Sequence, residues 1–160
     1  MIALINDRVY FRVWKLESDA SPLCCMRLPF VDILKHLDLV RLGETSGFDA
    51  SLEEEFHESF RTEGVLILRA MDEALEKGNI KEFGEQAHKL KGSALTIGYP
   101  EIASTTLRME TICKANNLER AALLLPKLKR QMLHIDALMG EYFSFHARLS
   151  EGPGESKKER

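Results

Sequence analysis

The residues of this chain whose types and spacing best suit chemistry lie in one segment, His88 to Ser93, which reads H-K-L-K-G-S. On an α-helix, residues three and four positions apart are neighbours, so His88, Lys91 and Gly92 would share one face. A neutral imidazole is a nucleophile, an ammonium group offsets negative charge, and a glycine leaves the backbone open to approach. Together these residues suit a surface that receives a phosphoryl group from another protein.

The residues around His88 predict the helix that would carry it. Apolar side chains recur at alternating spacings of three and four, the pattern of a helix packed in a bundle. Asn79, with Glu82 three residues later, can cap the start of this helix. His88 lies one residue, about 100° of rotation, away from the apolar stripe. We therefore predict a mid-helix His88 with one edge of its ring in solvent. The apolar positions are Ile80, Phe83, Ala87, Leu90, Ala94 and Ile97.

Two glycines flank the histidine inside the same predicted helix. Gly84 and Gly92 lie four residues before and after His88, and each costs roughly 1 kcal/mol relative to alanine in a helix interior. Their presence suggests a close approach to this face, either by a partner protein or by a neighbouring helix of the same chain. Gly84, Lys89 and Ser93 are candidates for supporting roles, with Lys89 as a second cation and Ser93 as a local hydrogen-bonding group.

Four further helices are predicted by the same patterns. Ser51 and Glu54 would form a capping box, and Pro126 would kink the last helix or mark its true start. Short connections between long helices indicate antiparallel neighbours. We therefore predict an all-α fold, an up-down antiparallel four-helix bundle with a short extra N-terminal helix. The predicted helices run from Val31 to Leu42 (ended by Gly43), from Ser51 to Lys77, from Pro100 to about Asn116, and from Leu118 to about Phe145.

The ends of the chain do not follow the helical pattern. Residues 1–30 form an N-terminal extension or linker in which Arg8 to Leu16 is rich in strand-forming residues. Residues 31–149 form the bundle domain. Residues 150–160 form a polar tail that we expect to be disordered.

Composition limits the classes of protein to consider. A net charge of −3 gives no reason to expect a nucleic-acid partner. The longest apolar runs are about five residues, too short for membrane insertion, and no signal peptide is visible. Three cysteines, two of them adjacent, imply no disulfide framework. We expect a monomeric, cytoplasmic protein.

From about Val31 to Phe143 the chain resembles the histidine phosphotransfer (HPt) family, the relay modules of multistep two-component signalling. The chain departs from the usual family pattern at Tyr99, where many members have alanine, at Thr106, often apolar or cysteine, and at Pro126. The resemblance rests on Phe60, the A-H-K-L-K-G-S run from Ala87 to Ser93, Gly98, and the pair Met109-Glu110.

The resemblance implies a function for each residue of the predicted site. His88 would be the phosphoacceptor through Nε2, with Lys91 and Lys89 offsetting phosphoryl charge and Gly92 leaving room for the partner. The partners would be response-regulator receiver domains, a hybrid histidine kinase, or both. The receiver would supply Mg²⁺, so that the protein needs no cofactor of its own. The protein would be a phosphocarrier without ATP-dependent kinase activity, and no phosphate-binding glycine loop occurs in the sequence.

Three other functions are open to a helical bundle. A non-catalytic adaptor that binds a signalling partner would have His88 buried or hydrogen-bonded on both ring nitrogens. The phosphoacceptor helices of a sensor kinase would need an ATPase domain, which this sequence does not contain. A di-iron bundle needs Glu-x-x-His pairs on two helices, and only Glu85 and His88 form one.

The remaining histidines and a run of glutamates have ordinary structural interpretations. We predict that His57, like the other three histidines, is a surface or boundary residue. Glu53 to Glu55 would supply favourable negative charge at a helix N-terminus. The other three histidines are His36, His134 and His146.

Overall fold

Residues 36–150 are described by a computed structural model of the chain. The predicted extension at residues 1–30 and, apart from Ser150, the predicted tail lie outside these residues. No strand occurs in the described part. Its helices are α1 (Leu39–Ser46), α2 (Ala50–Glu76), α3 (Ile80–Ile97), α4 (Pro100–Lys114), α5 (Leu118–Ala122) and α6 (Leu125–Ser150).

The four long helices α2, α3, α4 and α6 form an up-down bundle around one hydrophobic core. Contacts between α3 and α4 show that they run in opposite directions, since Gly84 meets Cys113 whereas Lys91, further along α3, meets Glu110. The short helix α1 packs against α2 and α3. The predicted all-α four-helix bundle is confirmed. Between residues 36 and 150, none of the helices has the length and apolar character required to cross a bilayer.

The predicted apolar stripe of α3 lies in the core. Phe83, Ala87, Leu90 and Ala94 are fully buried. Asn79 caps the helix, because its side chain accepts a hydrogen bond from the backbone N–H of Glu82 at 3.1 Å. The sequence therefore predicts both the start of α3 and its rotation about its own axis.

The start of α2 differs from the prediction. Asp49, not Ser51, is the N-cap, and its carboxylate accepts from the backbone N–H groups of Ser51 and Leu52 at 2.8 and 3.3 Å. Both residue types cap helices well, and α2 begins at Ala50, directly after Asp49.

The first predicted helix is interrupted in its described part. The chain is not helical at Leu37 and Asp38, and Asp38 caps a new helix, α1, by accepting from the N–H of Arg41. Gly43 does not end the helix but lies inside it, where an added Cβ would overlap the ring of Phe48. The glycine therefore permits a close contact and is not a terminator.

Pro126 marks the true start of the last long helix, one of the two predicted alternatives. The chain makes a short helix, α5, and a turn before α6 begins at Leu125. A proline fits at the second residue of a helix because the N–H that it lacks would have no intrahelical partner there.

The prediction that His57 is a surface or boundary residue is wrong. It is buried, with Nδ1 2.8 Å from the hydroxyl of Tyr99 and Nε2 3.3 Å from Asp136. Burial lowers the pKa of His57, although Asp136 opposes the shift. In the neutral ring, the Tyr99 hydroxyl donates to Nδ1 and Nε2–H donates to Asp136. His57, on α2, thus contacts the N-cap residue of α4 and a residue of α6.

Glu53 lies in the first turn of α2, as predicted, but its side chain is buried. The hydroxyl of Tyr142 donates to its Oε2 at 2.8 Å, and Ser46 Oγ lies 3.3 Å from Oε1. Glu54 and Glu55 are exposed. Hydroxyl groups from α1 and α6 therefore satisfy a carboxylate that the chain places inside the bundle.

Candidate functional site

His88 lies at the middle of α3, beside the buried stripe. Its neighbours Ala87 and Leu90 are fully buried, whereas 65 % of the His88 side chain is exposed. The ring is therefore supported by a rigid helix on one side and open to a partner on the other, as the sequence predicts.

Glu110 on α4 is the residue that organises the site. Its side chain is only 9 % exposed, and its two oxygens contact three groups. Oε2 accepts from Nζ of Lys91 at 2.6 Å, and Oε1 accepts from Nζ of Lys114 at 2.6 Å. Oε1 also lies 3.3 Å from Nδ1 of His88. One carboxylate thus connects the histidine of α3 with cations from both helices.

Glu110 is ionised at neutral pH. Hydrogen bonds from Lys114 and then Lys91 lower its pKa from 4.5 to about 2, and His88 adds a smaller contribution in the same direction. These effects outweigh burial, which alone would raise the pKa.

The partners of Nδ1 indicate which ring nitrogen of His88 carries the proton. Lys91 Nζ lies 3.4 Å from Nδ1 but donates to Glu110 at the much shorter distance of 2.6 Å. A carboxylate can only accept, so the contact between Nδ1 and Oε1 is favourable when Nδ1 carries hydrogen. In that tautomer the lone pair of the neutral ring is on Nε2.

The two glycines of α3 have different surroundings. A Cβ added at Gly92 would meet no other atom within 4 Å, so the surface beside His88 is open. A Cβ added at Gly84 would lie 3.2 Å from Cβ of Cys113. Of the two predicted explanations, approach by a neighbouring helix applies to Gly84, while Gly92 leaves space for another molecule.

Lys89 and Ser93, the supporting candidates, lie about one helical turn apart on α3. Lys89 is exposed. Ser93 Oγ is 3.2 Å from Oε2 of Glu63 on α2 and 3.4 Å from the carbonyl oxygen of Lys89. The hydroxyl of Ser93 is therefore engaged locally, towards α2, whereas Lys89 faces solvent.

Sequence reasoning did not include Glu110 or Lys114 in the site. The sequence signal that could have identified them is a glutamate four residues before a lysine, on the helix that follows α3. Within residues 36–150, no group of three or more His, Cys, Asp or Glu side chains is placed to hold a metal ion.

Together these residues present an exposed imidazole, a carboxylate that faces its Nδ1, and cations beside it. The family model for the Hpt domain matches residues 55–138, just over half of the chain, and this range includes the whole of α3 and α4. Neither the curated proteins nor the solved structures gave a match. The protein therefore belongs to the Hpt domain family, which transfers phosphoryl groups through histidine in two-component phosphorelays.

Proposed function

We propose that this protein accepts a phosphoryl group on Nε2 of His88 from the aspartyl phosphate of a receiver domain and passes it to a second receiver domain. The observation that carries the proposal is the pairing of an exposed His88 ring with a carboxylate at its Nδ1. Hpt domains in general are phosphocarriers and not kinases. We propose the same role here.

The arrangement of His88 and Glu110 supports this transfer. The lone pair of Nε2 attacks phosphorus while the P–O bond to the receiver aspartate breaks, and the aspartate carboxylate leaves with the electron pair. The ring gains positive charge, and its Nδ1–H faces the ionised Glu110. A fixed negative charge at that position stabilises the imidazolium as it forms. Transfer to the second receiver is the same step in reverse.

Most of the remaining stabilisation would come from the partner. Phosphoryl transfer passes through a loose, in-line transition state that depends on positioning and neutralisation of charge. We propose that the receiver contributes Mg²⁺ for this purpose and that this protein holds no cofactor. The open surface at Gly92 and the exposed Lys89 would favour docking of an acidic receiver pocket. Hpt proteins are typically cytoplasmic, and we propose that compartment and a monomer for this one.

A non-catalytic adaptor is the alternative. It would need His88 to be buried or held on both ring nitrogens. The His88 side chain is 65 % exposed, and its contacts within the described part of the chain are made through Nδ1. This geometry favours a phosphoacceptor over an adaptor.

Substitution of His88 tests the proposal. The full-length protein, the H88Q variant and the control H134Q are incubated with a panel of phosphorylated receiver domains and Mg²⁺. His134 is a second exposed histidine, on α6. The unmodified protein and H134Q should acquire an acid-labile, base-stable label, and H88Q should not, although its helical circular dichroism is unchanged. The proposal would be overturned if H88Q were labelled at the normal rate. It would also be overturned if no receiver labelled any of the three proteins.

A further inference from the structure

The cluster behind His88 contains more positive charge than its single carboxylate can balance. Lys91 and Lys114 both donate to Glu110, each at 2.6 Å. With the ring of His88 neutral, the two ammonium groups and one carboxylate leave a net charge of about +1 beside the nucleophile. Such a surplus suits the arrival of an anion.

The two lysines differ in how firmly they are held. Lys91 reaches from α3 to α4, and only 19 % of its side chain is exposed. Lys114 lies one turn after Glu110 on the same helix, and 74 % of its side chain is exposed. Exposed ion pairs four residues apart on a helix are weak and readily broken, whereas separating Lys91 would leave a nearly buried carboxylate without its inter-helix partner. Lys114 is therefore the cation that can leave.

We propose that Lys114 is a second phosphoryl-binding cation, which moves from Glu110 to the phosphoryl oxygens when His88 is phosphorylated, while Lys91 stays on Glu110. This inference rests on the proposed function of His88. A phosphoryl group adds close to two negative charges, and Lys114 starts beside the ring, because its ammonium contacts the same oxygen of Glu110 that Nδ1 of His88 approaches.

The exchange has a second effect on the ring. Oε1 of Glu110 is shared between Lys114 and His88 Nδ1 in the unphosphorylated protein. When Lys114 leaves, this oxygen becomes fully available to Nδ1–H. The acceptor is thus released at the moment at which the ring becomes positively charged.

The experiment measures the pKa of the phosphoryl group by ³¹P NMR in full-length protein phosphorylated with phosphoramidate. A neighbouring cation favours the dianion, so the K114Q variant should show a phosphoryl pKa higher by roughly half a unit. K114R should restore the original value. K77Q is the matched control, since Lys77 also forms an exposed ion pair four residues from its partner, Glu73, and should show no change. Disappearance of the signal in H88Q assigns it to His88.

The possible outcomes separate this inference from the proposed function. A labelled K114Q with the phosphoryl pKa of the unmodified protein would overturn the inference and leave the phosphoacceptor intact. An equal rise in K77Q, or a larger rise in a folded K91Q, would also overturn it, because the effect would then be a general one or would belong to Lys91. Failure of the unmodified protein to be phosphorylated by either phosphoramidate or phosphorylated receivers would overturn both proposals.

Discussion

Replacing Glu110 by glutamine should destabilise the protein at neutral pH. The substitution preserves the size of the side chain and one acceptor oxygen but removes the charge that Lys91 and Lys114 contact. The pKa of Glu110 falls from 4.5 to about 2 on folding, which corresponds to at most about 3 kcal/mol of stability. Water screens the contribution of the exposed Lys114, so we expect a loss of about 1–2 kcal/mol.

The loss should depend on pH in a defined direction. Because folding lowers the pKa of Glu110, its contribution is complete above pH 4.5 and disappears as the pH falls towards 2. Glutamine does not titrate. The difference in unfolding free energy between the two proteins should therefore be full at pH 7 and smaller by roughly half or more at pH 3. Carboxylates present in both proteins cancel in this difference.

Urea unfolding followed by circular dichroism at pH 7, 5 and 3 measures the effect. Glu73→Gln is the control, because Glu73 pairs with Lys77 on the exposed surface of α2 and should contribute only about 0.5 kcal/mol or less. Unfolding of the Glu110 variant at the same urea concentration as the unmodified protein at pH 7 would refute the argument. So would a difference that stays constant down to pH 3.

Three further substitutions separate packing, access and charge. Gly92→Leu should raise stability by about 0.5–1 kcal/mol, as a better helix former in open space, yet slow label transfer from a receiver at least tenfold; unimpaired transfer would show that this surface does not face the partner. Gly84→Leu should lower stability by about 1–3 kcal/mol in urea unfolding, because the new side chain meets Cys113 on α4; unchanged stability would contradict that contact. Lys91→Ala should slow transfer without abolishing it, reduce the salt dependence of the transfer rate, and also destabilise the fold, because Glu110 loses its inter-helix partner. Slowed transfer with unchanged salt dependence and stability would refute that role.

Most of the fold could be predicted because it depends on local and periodic signals. The stripe from Phe83 to Ile97 reports the rotation of α3, and Asn79 and Gly98 mark its ends. The prediction was wrong where two suitable residues competed at one helix end, as with Asp49 and Ser51. It was also wrong at Gly43, where a glycine permits a contact with Phe48 rather than ending a helix.

The buried polar residues could not be predicted from their neighbours in sequence. Glu53 finds its hydroxyl donor Tyr142 89 residues later, and His57 finds Tyr99 42 residues later. Composition alone assigns such side chains to the surface. Glu110 was missed for the same physical reason, because its role depends on how α4 is turned against α3, and only the packed pair shows that its carboxylate points at Nδ1 of His88.

The buried hydrogen bond between Glu53 and Tyr142 favours one alignment of α6 along α2. An apolar stripe that repeats every three or four residues would pack almost as well if one helix slid along its neighbour by a turn. Such a slip of α6 against α2 would separate Tyr142 from Glu53, and the buried carboxylate would lose the donor at 2.8 Å and keep only Ser46 of these two hydroxyl groups. The shifted bundle is thereby penalised relative to the native one. A pair that takes no part in the chemistry thus selects a single arrangement of the helices that support the histidine.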